Sequence, residues 1–481
     1  MAAMIPARQT RIIATLGPAS STPQVLTRMI AAGMDCARLN FSHGSYPEHQ
    51  ARLDMIRAVA RRRDKTLAIL LDLQGPKIRV GRMKDGVPLI LKTGETLHIT
   101  TRATLGVPGL VSTTYTRLPG DVKRGDRILL DDGLIELRVT DKNSRGVTTR
   151  VVTPGVLRDN KGMNLPGVRV TAPSLSEKDR ADVAFAVRAG VDYIALSFVR
   201  RAEDLTDLRR LLARLGAPTL PIIAKIEKPE AVEHLAAILT ESDGVMVARG
   251  DLGVELRPEQ VPAVQKTIIR DAGRAGVPVI TATQMLESMI ENSRPTRAEA
   301  SDVANAVLDG TDAVMLSGET AVGRHPVEAV RVMAAIVREV ENSSIYAQSA
   351  DIPVLKQASA THAIVHSACY VAREAGAKAI VIYTETGSSA RLLSKMKPPV
   401  PILAIAHSAA IERRMALYRG VIPLDARFVA DTDAMVKNGD RIILQKKQLK
   451  RGDLVLVVSG SMRTVGGTNM MKLHIVGSRR R

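Results

Sequence analysis

PIIAKIEKPE, residues Pro221 to Glu230, is an apolar, β-branched run that ends on two charges two positions apart, Lys225 and Glu227. Successive side chains of a strand leave on opposite faces, so these two leave on the same one. One cation and one anion therefore share a wall at the end of this strand. GVMVARGDLG, Gly244 to Gly253, repeats the arrangement: an apolar strand over Gly244 to Ala248 empties into Arg249, Gly250 and Asp251. Asp251 with Glu227 makes a hard-oxygen pair suited to Mg2+, which prefers a few carboxylates with water and phosphate completing its shell. Lys225 adds a fixed positive point, and the three together suit an anion that carries phosphate. The plain alternative, a strand-end ion pair, is common in α/β proteins, and the surrounding sequence has to decide between the two.

That surrounding sequence alternates strand-like and helix-like stretches from Thr10 onward, the pattern of parallel βα units. The strands are RIIATL, CARLNF, LAILLDL, YIALSF, PIIAKI, GVMVAR, VPVIT and AVMLSG, eight in all, with helical patterns over Gln24–Ala32, Glu48–Arg62, Glu177–Ala189, Ala202–Leu215, Glu259–Ala275 and Arg297–Leu308. Eight such strands close most naturally into a TIM (β/α)8 barrel, whose active site lies at the carboxyl ends of the strands. After LAILLDL the alternation gives way to short period-2 strands with Gly, Asp and Pro turns, such as VPLILKTGETLHIT and DRILLDDGLIELRVT. These read as a small β-barrel domain inserted as a lid over the strand ends. Beyond Ser343 a third unit restarts: a helix from Ala358 to Ala375, strand AIVIYT, a helix from Ser388 to Met396, and strands PILAIA, LVLVVSG and KLHIVG. The expected division is 1–75 and 165–343 for the barrel, 76–164 for the lid and 344–481 for a C-terminal α/β domain. No internal repeat stands out.

The bulk numbers restrict the class. The chain has 481 residues, 45% hydrophobic and 24% charged, enough for two or three globular domains. Cys36 and Cys369 are too few and too far apart for a disulfide framework or a Cys-rich zinc site. The amino terminus has no continuous apolar h-region and no stretch approaches bilayer length, so a soluble, cytoplasmic protein without membrane contact is expected. The net charge of +19 raises nucleic-acid binding as an alternative, but aromatics make up 2% of residues, Trp is absent, and the basic residues are scattered. RRRDK at Arg61–Lys65 reads as a solvated helix end, and the charge suits steering of small anions. No nucleic-acid partner is expected.

RLNFSHG sets Arg38, Asn40 and Ser42 two apart; in LLDLQGPKIRVG, Asp72 ends the third strand and Lys77 and Arg79 alternate onto one side. Together with AKIE, RGD, SEKD at Ser176–Asp179, TATQMLESM at Thr281–Met289 and MLSGET at Met315–Thr320, these segments resemble the pyruvate kinases over nearly the whole chain, in one order. The resemblance implies Mg2+-dependent (or Mn2+-dependent) transfer of the phosphoryl group of phosphoenolpyruvate to ADP, giving ATP and the enolate of pyruvate. It implies that Lys225 steadies the phosphoryl group and the enolate oxygen, that Glu227 and Asp251 hold the metal, and that Gly250 and Thr283 meet the substrate carboxylate. Arg38, Asn40, Phe41, Ser42, His43, Arg79 and Lys178 match positions that contact substrate phosphate and nucleotide. Against these stand structural uses: a rim charge for Arg38 or Lys178, a helix cap for Thr283, a loop histidine for His43. For the proton donor, Ser317 with Glu319 and Thr283 through a water both remain open.

Many pyruvate kinases carry Thr-Lys-Gly-Pro-Glu after the third strand and need K+. Here the stretch is Leu73-Gln74-Gly75-Pro76-Lys77, an acid replaced by a cation. Asn40, Ser42 and Asp72 resemble the other K+ ligands, and Lys77 is expected to replace the ion, so that K+ is not required. In the last domain Thr384, Thr386, Gly387, Ser388 and Ser389 form a hydroxyl-rich turn at a helix start, which suits phosphate and equally suits capping. The resemblance implies a sugar-phosphate or nucleotide effector there, with the loop Ser459–Asn469 closing over it, and a homotetramer. A second enzyme reading, a barrel lyase or aldolase, would need a neutral Lys225.

Overall fold

The computed structural model describes residues 8–349, 359–426, 432–460 and 467–478. All eight strands read from the sequence are present: β1 (Arg11–Thr15), β2 (Cys36–Asn40), β3 (Ala68–Asp72), β4 (Tyr193–Leu196), β5 (Ile222–Ile226), β6 (Gly244–Ala248), β7 (Val279–Ala282) and β8 (Ala313–Leu316). Each pairs in parallel with its neighbours in sequence and β1 pairs with β8, which closes the sheet into a barrel. The strands are buried on both faces because helices cover the outside and side chains fill the inside. Ile13, Leu70, Tyr193, Ile223, Met246 and Met315 point inward as one cluster, which Ala416 and Leu417 of the C-terminal region plug from below. The period of two then continues this inward column to the carboxyl ends: Ile13 leads to Thr15, Leu70 to Asp72, Ala195 to Ser197, Ile223 to Lys225 and Glu227. The polar strand ends are thus aimed at the barrel axis by the same geometry that fills its core.

Between β3 and β4 lies a six-stranded sheet with an additional two-stranded ribbon, packed around a separate core that includes Val80, Leu97, Ile128, Leu137 and Val147. The bridges Arg79 to Gly162 and Val80 to Thr113 join residues 79–80 to both edge regions of that sheet, which gives it the closed character of a small barrel. The third unit is a five-stranded sheet, four strands parallel and the last, Thr468–Ile475, antiparallel to Leu454–Gly460. It includes a strand at Val421–Asp425 that the sequence reading passed over, since Pro423 and a short apolar run obscure it. The helix expected from Ala358 begins at Ala360, within the described residues, with Ser359 as its N-cap.

The structure also discloses a repeat that the sequence reading missed. Strands β2, β4, β6 and β8 are each preceded by an aspartate: Asp35, Asp192, Asp243 and Asp312. Each aspartate clasps one residue of the preceding strand at two points, its own N–H donating to that residue's carbonyl and its carboxylate accepting that residue's N–H. The carboxylate distances are 3.0 Å to Ile12 N, 2.8 Å to Ile69 N, 2.9 Å to Ile222 N and 2.7 Å to Val279 N. Each carboxylate also holds a cation: Arg8 at 2.6 Å, Arg57 and Arg413 at 2.8 Å, Arg209 at 2.8 Å and Lys395 at 2.5 Å. Arg413 and Lys395 belong to the third unit, so two of the four clasps also fasten it to the amino-terminal face of the barrel. Charge at this face serves stability, as at the opposite face it serves chemistry.

Asp35 gives a pH signature to this arrangement. Burial works to raise its pKa, but Arg8 and then Arg11 and Lys65 outweigh it and hold the carboxyl down at about 2. A depressed carboxylate contributes stability that is complete above its unfolded value and lost as pH falls through the folded value. Asp35→Asn is expected to cost about 2 kcal/mol or more at pH 7, with the gap to wild type narrowing between about pH 4 and pH 2. Urea unfolding across that range checks this, and a gap independent of pH would count against it.

Candidate active site

Lys225 leaves β5 into the centre of the barrel mouth, buried, with Glu227 Oε1 at 2.8 Å and Asp72 Oδ1 at 3.2 Å. Burial opposes its charge, but Asp72 and then Glu227 more than offset the cost, so its pKa lies above the ordinary lysine value. An ammonium flanked by two carboxylates does not favour the Schiff-base alternative, which needs a neutral amine. Arg38, from β2, adds a second cation: its guanidinium lies 2.7 Å from Asp72 Oδ2 and donates to Thr15 Oγ1 at 2.9 Å. Arg38, Asp72, Lys225 and Glu227, from three separate strands, thus form one buried alternating chain of charge.

Glu227 Oε2 accepts the Phe198 amide at 2.8 Å, whereas Oε1 is buried and has the Lys225 ammonium, at 2.8 Å, as its one polar contact among the described residues. Burial pushes this carboxyl up to about 7; Lys225 pulls against that, and the charge of Asp251 adds to the rise. A buried carboxylate oxygen held only by an ion pair with Lys225, beside a second, half-exposed carboxylate, fits a divalent cation. Among the described residues no group of three or more His, Cys, Asp or Glu could hold a metal ion by itself. An ion held by Glu227 and Asp251 would therefore complete its shell with substrate oxygens and water, as Mg2+ prefers.

The wall formed by β6 and β7 is set by an unusual backbone. Thr283 and Gln284 both adopt positive φ, 68° and 53°. Such strain persists only where surroundings over-determine it, and here Arg249 does so. Its guanidinium donates to Thr283 O at 2.6 Å and Ala282 O at 3.2 Å while Asp302 holds it by two bonds of 2.7 and 2.6 Å. The Gly250 amide in turn donates to Thr283 Oγ1 at 2.7 Å. Thr283 therefore does not cap the helix that follows it, whose N-cap is Leu286; its hydroxyl takes a first-turn amide of the helix Arg249–Glu255 instead. Asp251 follows in the first turn of the helix Arg249–Glu255.

The expected nucleotide positions gather on the β2 side. Ser42 donates its amide to Asn40 Oδ1 at 3.1 Å, and Lys178 donates to the carbonyl of Phe41 at 2.8 Å and to Asp182 at 2.6 Å. His43 titrates below its ordinary value through burial and the nearby charges of Arg79, Lys77 and Arg38. Arg79 reaches the lid, donating to Asn160 O at 3.1 Å. Asp179 explains part of the SEKD motif in structural terms: it closes a capping box with Ser176 and accepts the amide of Gly75 at 3.0 Å. Gly75 has φ +70°, and a Cβ there would lie 2.7 Å from the Phe198 ring, so no other residue fits. Lys77 is exposed, beside Gly162 of the lid, and forms no ion pair among the described residues; Asp72 is served by Arg38 and Lys225 instead.

Ser317 Oγ is buried without a hydrogen-bond partner among the described residues, and Glu319 accepts the amides of Leu286 at 3.1 Å and Ser317 at 2.7 Å. In the third unit the turn Thr384–Ser389 is self-bonded: Gly387 N donates to Thr384 Oγ1 at 2.9 Å and Thr386 Oγ1 to Ser388 Oγ at 2.9 Å. Most of the loop Ser459–Asn469 lies outside the described residues.

Two residues that shape the mouth escaped the sequence reading. Arg249 was visible only as a charge preceding Asp251. Ser197, at the end of β4, accepts the Lys225 ammonium at 2.7 Å and donates to Leu73 O at 2.7 Å. The available signal was its position, two residues beyond Ala195 on the inward face. Ser197→Ala removes the one neutral oxygen that holds Lys225 beside its two carboxylates and should lower kcat about tenfold with little change in Tm. Steady-state kinetics beside a thermal melt check this; unchanged kcat would mean that the two carboxylates alone position the amine.

The comparisons agree with this geometry. Residues 7–330 match the family model for the pyruvate kinase barrel domain, and residues 362–474 that for the pyruvate kinase alpha/beta domain. Pyruvate kinase of Staphylococcus saprophyticus is 47% identical over 98% of this chain and 81% of its own length, and that of Sporosarcina psychrophila is 46% identical over the same shares. A crystal structure of a pyruvate kinase from Cryptosporidium parvum superposes with a TM-score of 0.91 at 38% identity, covering 98% of this chain and 97% of the other. With its two matched domains, its closed parallel barrel and its mouth of alternating charge, the chain belongs to the pyruvate kinase family.

Proposed function

We propose that Lys225, Arg38, Glu227, Asp251, Gly250 and Thr283 carry out the transfer of the phosphoryl group from phosphoenolpyruvate to ADP that membership of the family establishes. The observation that carries this assignment is the buried ammonium of Lys225 held between Asp72 and Glu227. A phosphoryl group in flight bears charge on its equatorial oxygens, and catalysis is mainly positioning and electrostatic stabilisation. Lys225, fixed by Ser197 and two carboxylates, offers a pre-oriented cation where that charge and the enolate oxygen develop. Arg38 adds a second cation without reorganisation, since Asp72 and Thr15 already hold it.

Glu227 and Asp251 would hold a divalent ion, Mg2+ or Mn2+, which when bound supplies Lewis-acid polarisation of substrate oxygens. Gly250 and Thr283 form a small polar ledge for the substrate carboxylate. Asn40, Phe41, Ser42, His43, Arg79 and Lys178 line the side on which ADP enters. The P–O bond to the enol breaks, a β-phosphate oxygen of ADP takes the phosphoryl group, and the enolate gains its proton at carbon 3. For that proton, a relay through Ser317 and Glu319 and a route from Thr283 through a water are the two candidates.

A coupled assay with phosphoenolpyruvate, ADP and Mg2+ tests the assignment. Lys225→Met should reduce kcat by about a thousandfold or more. Gly250→Ala is the complementary probe: a Cβ there meets nothing closer than 3.6 Å in the protein. The variant should fold normally and raise the KM for phosphoenolpyruvate about tenfold by crowding the substrate. Wild-type kinetics in either variant would move the site elsewhere.

K+ independence follows the same reasoning. Arg38 and Lys225 already neutralise Asp72, and Lys77 adds positive potential nearby. Another cation at contact distance would be repelled by about 4 kcal/mol at an effective dielectric near 20. Activity should stay within about twofold when K+ is replaced by a bulky inert cation at constant ionic strength, and a many-fold loss refutes this.

Further proposals rest on the family resemblance: a homotetramer in the cytoplasm, the division 1–75 with 165–343, 76–164 and 344–481, and activation by a sugar phosphate or nucleotide at Thr384–Ser389. Gly387 at φ +83° opens a 8-residue helix there. Sigmoidal saturation that such a metabolite renders hyperbolic supports the effector site, and saturation unmoved by either class removes it.

A further inference from the structure

Arg200 stands between two cavities. On one side it lines the cleft between lid and barrel, with Lys77, Phe198, Lys228 and Asp251. On the other it lines a cavity of about 560 Å3 beneath the point where the lid chain returns to the barrel. Its guanidinium donates to the carbonyl of Val170 and, at 2.7 Å, to that of Ala172, and both of those residues also border both cavities. The returning segment 169–175 is thereby tied to the barrel through one side chain that both spaces share.

The second cavity carries an excess of cations, and the ion pairs its arginines make are long: 4.0 Å from Arg200 to Asp204 and 3.9 Å from Arg201 to Glu203. Five arginines line it, Arg117, Arg169, Arg180, Arg200 and Arg201, against three acids, Asp204, Asp207 and Glu230. Two of those acids are committed. Asp204 accepts Ser174 Oγ and the Arg200 amide, each at 2.8 Å, and Asp207 pairs with Arg210 at 2.8 Å. Arg169 and Arg180 have no acidic partner among the described residues, and Arg117 makes a single long contact, 3.4 Å, with Thr171 O. Arginines from the lid base and from two barrel helices that line one space of ligand size suit the planar oxygens of phosphate.

We propose that this cavity binds a small metabolite carrying at least two phosphate groups, and that its occupant stiffens the returning segment of the lid. The site is separate from the catalytic mouth and from the Thr384–Ser389 turn. An anion bridging Arg169 of the lid base to Arg180 and Arg201 of the barrel restrains the same segment that Arg200 grips, so occupancy is transmitted to the cleft through Arg200.

Inorganic pyrophosphate in metal-free buffer at low salt is the probe, with calorimetry and hydrogen exchange of segment 169–175 on the full chain. Wild type should bind it and show slowed exchange in that segment. Arg169→Ala/Arg180→Ala, at exposed positions without partners, should keep basal kcat while affinity falls about tenfold or more and the protection disappears. Arg169→Lys/Arg180→Lys should fall between. Lys225→Met and Thr384→Ala/Ser388→Ala should retain the protection. Equal binding and protection in the double alanine variant, or their loss only in Lys225→Met or only in Thr384→Ala/Ser388→Ala, overturns the proposal by placing the probe elsewhere.

Discussion

An ammonium removed from water costs several kcal/mol unless opposite charge meets it at contact distance, and the whole mouth of this barrel is arranged around that requirement. Lys225 is tolerable only because Asp72 and Glu227 flank it; Asp72 is tolerable only because Arg38 takes its other oxygen. The chain of charge spans three strands, so it exists only when the sheet is closed. Its balance still leaves one buried carboxylate oxygen of Glu227 with only the Lys225 ammonium against it among the described residues, the place where a divalent ion would add what the protein withholds. Stability has been traded for a field that is ready before substrate arrives.

The two faces of the barrel use charge for opposite ends. At the amino-terminal face, four aspartates are spent on backbone amides and on cations that include Lys395 and Arg413 of the third unit. Most of their oxygens are taken up in this way, although Asp312 Oδ1 is buried without a hydrogen bond among the described residues. At the carboxyl face, orphaned oxygens, left-handed residues and convergent cations accumulate. The arginine cavity under the lid belongs to this second kind, since its spare guanidinium groups have no structural use that the contacts reveal. Arg200 joins it to the cleft because a guanidinium is long and forked enough to hold two carbonyls of the returning chain at once.

Much of the mouth was legible before any coordinates. Period-two spacing placed Lys225 with Glu227 and Arg38 with Asn40, and it also marks Ser197, although a lone serine after an apolar strand carries too little chemical signal to be singled out. Arg249 was harder. It acts by gripping Thr283 and Asp302, residues distant in sequence, and no spacing rule connects them. The clasping aspartates hid because each is one residue in an otherwise ordinary loop, and their shared role appears only when neighbouring strands lie side by side. Lys77 shows the converse. Its charge stood out in the sequence, yet its side chain lies exposed beside the lid and Arg38 and Lys225 take the carboxylate it was expected to serve.

The sequence by itself determined the eight strands, the inward direction of their polar ends and the kind of chemistry those ends suit, because alternation along a strand is a local property of the backbone. Only the tertiary structure decided which charges pair, which oxygen stays unpartnered and which arginines are left spare. Those outcomes depend on distances between segments that meet only when the barrel closes and the lid returns, and a Coulomb interaction is settled by separation in space, to which order along the chain is blind.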